Sequence, residues 1–225
     1  MQIIVLRGLF YNWKQPIYMD FDTTISKDIV FKAINKAHAS GYNVVACVSD
    51  MSGENYGLWN KLNVSIENPA DITKEVFLFA DTPHLLKLLQ NWFVYKGFLL
   101  DDNVYVDKSL ISVLIELDSN ELKVCHKLNK QHFEVVGAVR RQYIKLVVQL
   151  FQSTTAKALE LYKLVNDENI ISNLSAFIVS VNDWSDFMLH QQLLQLLKCG
   201  YGLYEVEQNK CLNDVFRIVK TMHSP

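Results

Sequence analysis

Residues 44–48, Val-Val-Ala-Cys-Val, form a short run rich in β-branched side chains, with Gly41 ahead of it and Asp50 behind it. Such a run predicts a buried strand of the parallel kind, which carries apolar residues on both faces. Ser52, Gly53 and Asn55 then predict a turn and the start of a helix carrying Leu58, Trp59 and Leu62. The whole stretch 42–59, YNVVACVSDMSGENYGLW, therefore points to an α/β arrangement. An acid at the C-terminal end of a parallel strand lies on the sheet edge where ligands and metals bind. The same place suits an ordinary helix N-cap, and position alone divides evenly between the two.

The flanking segments extend the alternation. Gln2–Leu6 and Ile17–Phe21 predict strands around a turn region that contains Trp13. Ser26 is the expected N-cap of a helix in which Ile29, Val30, Ala33, Ile34 and Ala37 recur at helical spacing, with Gly41 as its stop. Val76–Ala80 predicts a second buried strand ending on an acid, Asp81. Thr82 as N-cap and Pro83 at the first helical position start the next helix, whose Leu85, Leu86, Leu88 and Leu89 form its apolar face. His84 reads as a capping or packing residue before it reads as a metal ligand.

Past Trp92 the period changes. Residues 107–117, 139–164, 174–197 and 211–222 predict helices, and only 98–106 keeps a weak strand signal. The expectation is an α/β plus all-α chain, with a front domain over residues 1–82 and a helical domain over 83–225. A helical block entered directly from a strand end, with no Ser/Pro-rich linker, reads as an insertion into the first fold.

Composition limits the function classes. With 225 residues, half of them hydrophobic, the chain can build one large core or two small ones. A net charge of −2 supplies no overall basic field for nucleic acid. Cys47, Cys125, Cys199 and Cys211 lack CxxC spacing and are expected as reduced core thiols. No apolar run approaches the ~18 residues of a membrane span, and residues 1–10 lack the marks of a signal peptide. P-loop, GxGxxG, GxSxG, HExxH and EF-hand patterns are all missing. Asp50 and Asp81 offer the oxygen ligands that Mg²⁺ prefers, but acids at strand ends are common. Lys127, His132, Arg140, Arg141 and Lys145 make a basic stretch that composition alone assigns to a solvated face. In Asn182–Asp186 two acids flank Trp184, with Trp184 and Phe187 expected to face the core.

Six stretches together become recognisable: RGLFYNWKQPIY (7–18), VVACVSDMSGENYGLW (44–59), VFLFADTPHLLKLLQNWF (76–93), HKLNKQHF (126–133), IKLVVQLFQSTTA (144–156) and NDWSDFM (182–188). Their order and spacing resemble the P-element transposase family, including the THAP-domain transposases of animals. The resemblance implies an incomplete RNase H-like domain followed by a helical GTP-binding insertion domain. It also implies Mg²⁺-dependent DNA strand cleavage and transfer in full-length relatives, with GTP as a structural cofactor. Of the family's three metal-holding acids, the middle one falls on Asp50, as catalytic and metal residue; Asp81 is a family signature outside the three. The other two acids, and the THAP finger, are expected outside these 225 residues, so the chain is expected to be an internal piece of a transposase that is inactive alone.

For the nucleotide, the resemblance places Glu121 where an aspartate reads the purine, and Lys127 on the phosphate side. It places Tyr143 where the family has a second lysine, Ile144 as a main-chain contact, and Asp186 as the acid closing the NDWSD stretch. Ser185 replaces a family phenylalanine. Transposon-end DNA, a homo-oligomer in full-length relatives, nuclear localisation and no membrane association complete the implied picture. The rival expectation is a co-opted, non-catalytic module that keeps nucleotide or protein contacts without chemistry.

Overall fold

The computed structural model describes residues 1–9, 11, 13–64, 70–71, 76–100, 103–118, 123–134, 143–164, 167–189, 201–223 and 225. They divide into two compact units, Met1–His84 and Leu85–Pro225.

In the first unit, β1 (Gln2–Arg7) and β2 (Lys14–Asp20) pair antiparallel, with Ile3 opposite Met19 and Leu6 opposite Gln15. Gly8 closes the hairpin by donating its N–H to Trp13 O at 3.1 Å. A Cβ there would stand 2.5 Å from the Trp13 indole nitrogen, so the turn tolerates no side chain at that position. α1 (Lys27–Ala39) starts where expected: Ser26 Oγ accepts from Ile29 N at 3.3 Å. Gly41, at φ +87, follows its end.

Four further elements complete the unit: β3 (Ala46–Ser49), α2 (Gly53–Lys61), β4 (Ala70–Asp71) and β5 (Val76–Ala80). The sheet order is β3-β5-β4, with β3 parallel and β4 antiparallel to β5. The parallel pair is as expected, though β3 begins two residues later and runs up to Asp50. Its burial is one-sided, contrary to expectation. Cys47, Val76 and Leu78 pack with Val30, Ile34, Leu58 and Leu62. On the other face Val48, Phe77 and Phe79 are 61%, 49% and 48% exposed. The apolar run reports a strand with apolar residues on both faces; only one face is covered within this unit.

α3 (Thr82–Tyr95) begins at the end of the first unit and carries Leu86, Phe93 and Val94 into the core of the second. Its N-cap is one residue earlier than expected. Asp81 Oδ2 accepts from His84 N at 3.1 Å, and Thr82 is already helical. An ionised carboxylate satisfies the orphan N–H of the first turn and meets the positive end of the helix dipole, so it takes the cap ahead of a threonine.

The second unit continues with a short hairpin, β6 (Phe98–Leu99) and β7 (Tyr105–Val106), and α4 (Ser109–Leu117). A 3₁₀ turn (Lys130–Phe133), α5 (Ile144–Leu150), α6 (Ser153–Tyr162), α7 (Glu168–Leu189) and α8 (Glu205–Thr221) follow. Leu99 exchanges both backbone hydrogen bonds with His223, at 3.0 and 2.9 Å, tying the segment after α8 to β6. The helix expected over 139–164 breaks at Phe151–Gln152, and residues 139–142 lie outside the described set. Gln152 is extended (φ −72, ψ 148), and the freed Ser153 N–H finds Asn182 Oδ1 at 3.3 Å. The break lets Phe151 enter an aromatic cluster, with ring centroids 5.5 Å from Phe93 and 5.9 Å from Phe177. Phe98 joins the cluster 5.9 Å from Phe177.

The two phenylalanine sets have different expected energetics. Truncating fully buried Phe177 to alanine removes apolar contacts and leaves a cavity, a loss of about 3–5 kcal/mol. Phe77→Ala removes a ring that is half in water and should cost well under half of that, on the order of 1 kcal/mol. Amide exchange in denaturant, followed separately in each unit, measures both; equal losses would contradict the one-sided burial of β5.

Candidate functional site

Two places carry the residues that the sequence singles out, one in each unit. In the first, β3 and β5 end side by side: Ser49 lies opposite Ala80, and Asp81 N donates to Ser49 O at 2.8 Å. Asp50 and Asp81 thus leave the same edge of a parallel pair. They are committed differently. Asp81 caps α3. Asp50 is exposed, and its Oδ1 accepts from Ser52 N at 3.1 Å and from the Asn55 amide at 2.7 Å. Burial pushes the Asp50 carboxyl upward, but the Ser52 and Asn55 hydrogen bonds and nearby His84 outweigh it, so the group stays below its ordinary value. It is an ionised, exposed carboxylate at the end of β3. Among the described residues no three His, Cys, Asp or Glu side chains gather closely enough to hold a metal.

The second place lies where the segment 123–134 meets α5 and α6. This segment is pinned at both ends. At its start, Asp118, just past α4, accepts from Val124 N at 2.9 Å, Cys125 N at 2.7 Å and the Tyr162 hydroxyl at 2.9 Å. Burial alone would raise the Asp118 carboxyl, yet these donors hold it below its ordinary value. At the other end, Asn129 caps the 3₁₀ turn by accepting from Gln131 N at 2.9 Å. His132 is 1% exposed, with Nδ1 3.0 Å from Asn129 O and Nε2 3.3 Å from Gln149 Oε1 of α5. Gln90 of α3 donates to His132 O at 3.0 Å. Burial drives the His132 ring down despite its hydrogen bonds, so it is neutral at pH 7. The expected basic stretch therefore loses one member to the core.

Between the pins lies Lys127, exposed and lining a cavity of about 40 Å³ with Cys125, Gln149, Gln152 and Thr154. That volume admits a water or two, or the edge of a phosphate, whereas a whole small-molecule ligand needs several hundred Å³. A nucleotide placed here would lie mainly across the cavity's mouth. Burial, reinforced by Asp118, lifts the Cys125 thiol to about 11, so it is an inert wall.

Tyr143 is exposed directly ahead of α5, and Ile144 opens that helix with its side chain packed on the core. Asn182 Oδ1 caps α6, and Asp186 stands one helical turn further along the same face of α7. The Lys127 segment is thus tied to the C-terminal end of α5 through His132–Gln149, and the start of α6 to α7 through Ser153–Asn182. Glu121 lies outside the described residues, as do Arg140, Arg141 and Cys199. Trp184 packs on the core as expected; Phe187 instead meets the Tyr201 ring at 6.2 Å. Cys125 and Cys211 are buried free thiols, and Cys47 is partly buried. Sequence reasoning did not find Asp118, Gln149 or Tyr162. An acid at a helix C-terminus, the wrong sign for the dipole, was the available signal for Asp118.

Residues 83–196 match the family described as TNP-like, GTP-binding insertion domain, and residues 1–63 match the TNP-like, RNase H N-terminal domain. The Transposable element P transposase of Drosophila melanogaster is 33% identical over 229 residues, which covers 98% of this chain and 30% of that protein. The Drosophila P element transposase strand transfer complex aligns with a TM-score of 0.85 and 32% identity, over 97% of this chain and 51% of that one. The chain thus spans 30% of the length of the curated relative and about half of the solved chain.

Neutral, buried His132 makes the second unit acid-sensitive. Its folded pKa is below the ordinary 6.5, so the unfolded state binds the proton first. The contribution is complete above 6.5 and is lost as pH falls from there toward the lower folded value. Unfolding free energy measured between pH 8 and 5, on the order of three pH steps across this window, should fall on the acid side. His132→Gln should flatten that slope; an unchanged slope would remove His132 as its source.

Proposed function

The chain belongs to the P-element-like transposase family, and on that premise we propose that it supplies one metal-holding acid of an RNase H-like DNA-cleaving site and a guanine-nucleotide site in its helical unit. The observation that carries the nucleotide reading is the doubly pinned turn presenting Lys127 beside the small cavity at the α5–α6 junction, where Gln149, Gln152 and Thr154 stand among apolar neighbours. An ammonium on a fixed turn is a point charge for phosphate. Ile144 offers main-chain groups at the start of α5, whose N-terminus favours anionic ligands only modestly in so short a helix. Tyr143 offers a hydroxyl in place of a cation. Asp186 lies on the α7 face next to the capped end of α6, and Glu121 is assigned the purine edge by resemblance.

Asp50 fits one ligand of a Mg²⁺ ion. It is ionised, exposed, and held on one oxygen by Ser52 and Asn55, which fixes its orientation. Bound Mg²⁺ would stabilise the attacking and leaving oxygens of a phosphodiester, a task shared among several carboxylates. Transposon-end DNA as the substrate, assembly as a homo-oligomer, and action in the nucleus belong to the same proposal. The strand transfer complex of the Drosophila relative supports the DNA partner.

Calorimetric titration with GTP and ATP tests the nucleotide reading. Lys127→Ala should weaken GTP binding by about one to two decades, the equivalent of one charge-assisted hydrogen bond of roughly 1.5–3 kcal/mol. Tyr143→Lys, which restores a cation, and Glu121→Asp should each tighten it. Equal ATP and GTP affinities that ignore all three substitutions would overturn the reading. For the metal site, Asp50→Asn in a transposase carrying the remaining acids should abolish strand transfer while leaving GTP binding intact; retained strand transfer would exclude Asp50.

A further inference from the structure

We propose that Asp118 is a positioning residue for the nucleotide site: its buried carboxylate fixes the backbone of Val124 and Cys125 and so sets where Lys127 presents its ammonium. This rests on the nucleotide reading above and adds a residue to it.

Asp118 is 4% exposed and accepts three hydrogen bonds, two from consecutive backbone N–H groups and one from Tyr162. Its own N–H donates to Leu114 O at 2.8 Å, so the carboxylate is rooted in the end of α4. Helix stability does not explain an acid there, because the C-terminal end of a helix repels negative charge. What the position does offer is a rigid anchor shared by α4, α6 and the turn at 124–128. Cys125 O in turn accepts from Leu128 N at 2.8 Å, closing that turn around Lys127. Lys127 itself is exposed, on a stem with several free torsions. Its ammonium is therefore aimed through its backbone, and the Asp118 hydrogen bonds fall three and two residues before it. Tyr162 locks the carboxylate rotamer from α6, the same helix whose start contributes Thr154 to the cavity.

The test is a double-mutant cycle on the full 225-residue chain, read as GTP affinity by calorimetry, with the fold of each variant checked by circular dichroism. Asp118→Asn places amide hydrogens against N–H donors and should weaken GTP binding about tenfold. Lys127→Ala should cost one to two decades in the unaltered chain but less than about threefold in the Asp118→Asn background, because a lysine already misplaced has little left to lose. An anchor that served only general stability would lower the melting temperature and leave the Lys127 effect at full size; that result, or unchanged GTP affinity in Asp118→Asn, overturns the proposal. If Asp118→Asn does not fold, the same cycle with Tyr162→Phe decides by the same criterion. No GTP binding by the correctly folded unaltered chain would overturn the nucleotide reading and this inference together. Binding with full additivity would overturn this inference alone.

Discussion

The helical unit is built around four phenylalanine rings. Phe93 of α3, Phe98 of β6, Phe151 at the end of α5 and Phe177 of α7 meet at centroid distances of 5.5 to 6.0 Å. Each ring comes from a different element, so the cluster fixes four elements at one point. Edge-to-face and tilted pairs dominate it, as the ring quadrupole favours. Phe151 reaches this point only because α5 stops there. The stop releases the chain through extended Gln152, which sets the start of α6, and Asn182 of α7 then receives the Ser153 N–H. The placing of Gln152 and Thr154 beside Lys127 is therefore a consequence of where an aromatic side chain has to go.

The polar pins stand on that apolar frame. Asp118 and His132 are both buried, and each makes several hydrogen bonds to backbone or amide groups. Buried polar groups persist when they are satisfied, and satisfied networks specify one arrangement. Here they hold an irregular segment, 123–134, that has no helix or sheet of its own beyond one 3₁₀ turn. Without them the backbone N–H groups of Val124 and Cys125 would need other partners. A carboxylate supplies two acceptors at one place, which a neutral side chain of similar size does not.

Much of the first unit was legible because its signals are local. Ser26 caps α1 as its residue type predicts, Gly41 follows at positive φ, and the two apolar runs pair as parallel strands ending in acids. What the sequence could not show was burial: Val48, Phe77 and Phe79 read as core, yet their face is open within this unit. The α3 cap slipped by one residue because Asp81 and Thr82 are both good caps, and the stronger acceptor won. In the helical unit, periodicity found the helices but merged α5 with α6, since Phe151 fits either helix by spacing. The pins were invisible for a different reason. Asp118–Tyr162 and His132–Gln149 join residues 44 and 17 positions apart, and no local pattern encodes such pairs.

Asp50 and Asp81 show how one sequence pattern resolves into two chemistries. Each follows a parallel strand and precedes a helix, and by position they were equivalent. The helix after Asp81 begins at once, so its carboxylate falls within reach of the His84 N–H and is used as a cap. Between Asp50 and α2 lie two further residues, Met51 and Ser52, and Ser52 occupies the cap position without capping the helix through its side chain. Asp50 is thereby spared from capping. Its Oδ1 accepts from Ser52 N and the Asn55 amide, and the turn's hydrogen bonds orient the group and favour its charged form. An exposed, ionised carboxylate oriented by its own turn suits a metal ligand better than one spent on a helix terminus. The gap between acid and helix, two residues against none, separates the two acids, and it supports Asp50 over Asp81 in the proposed metal role.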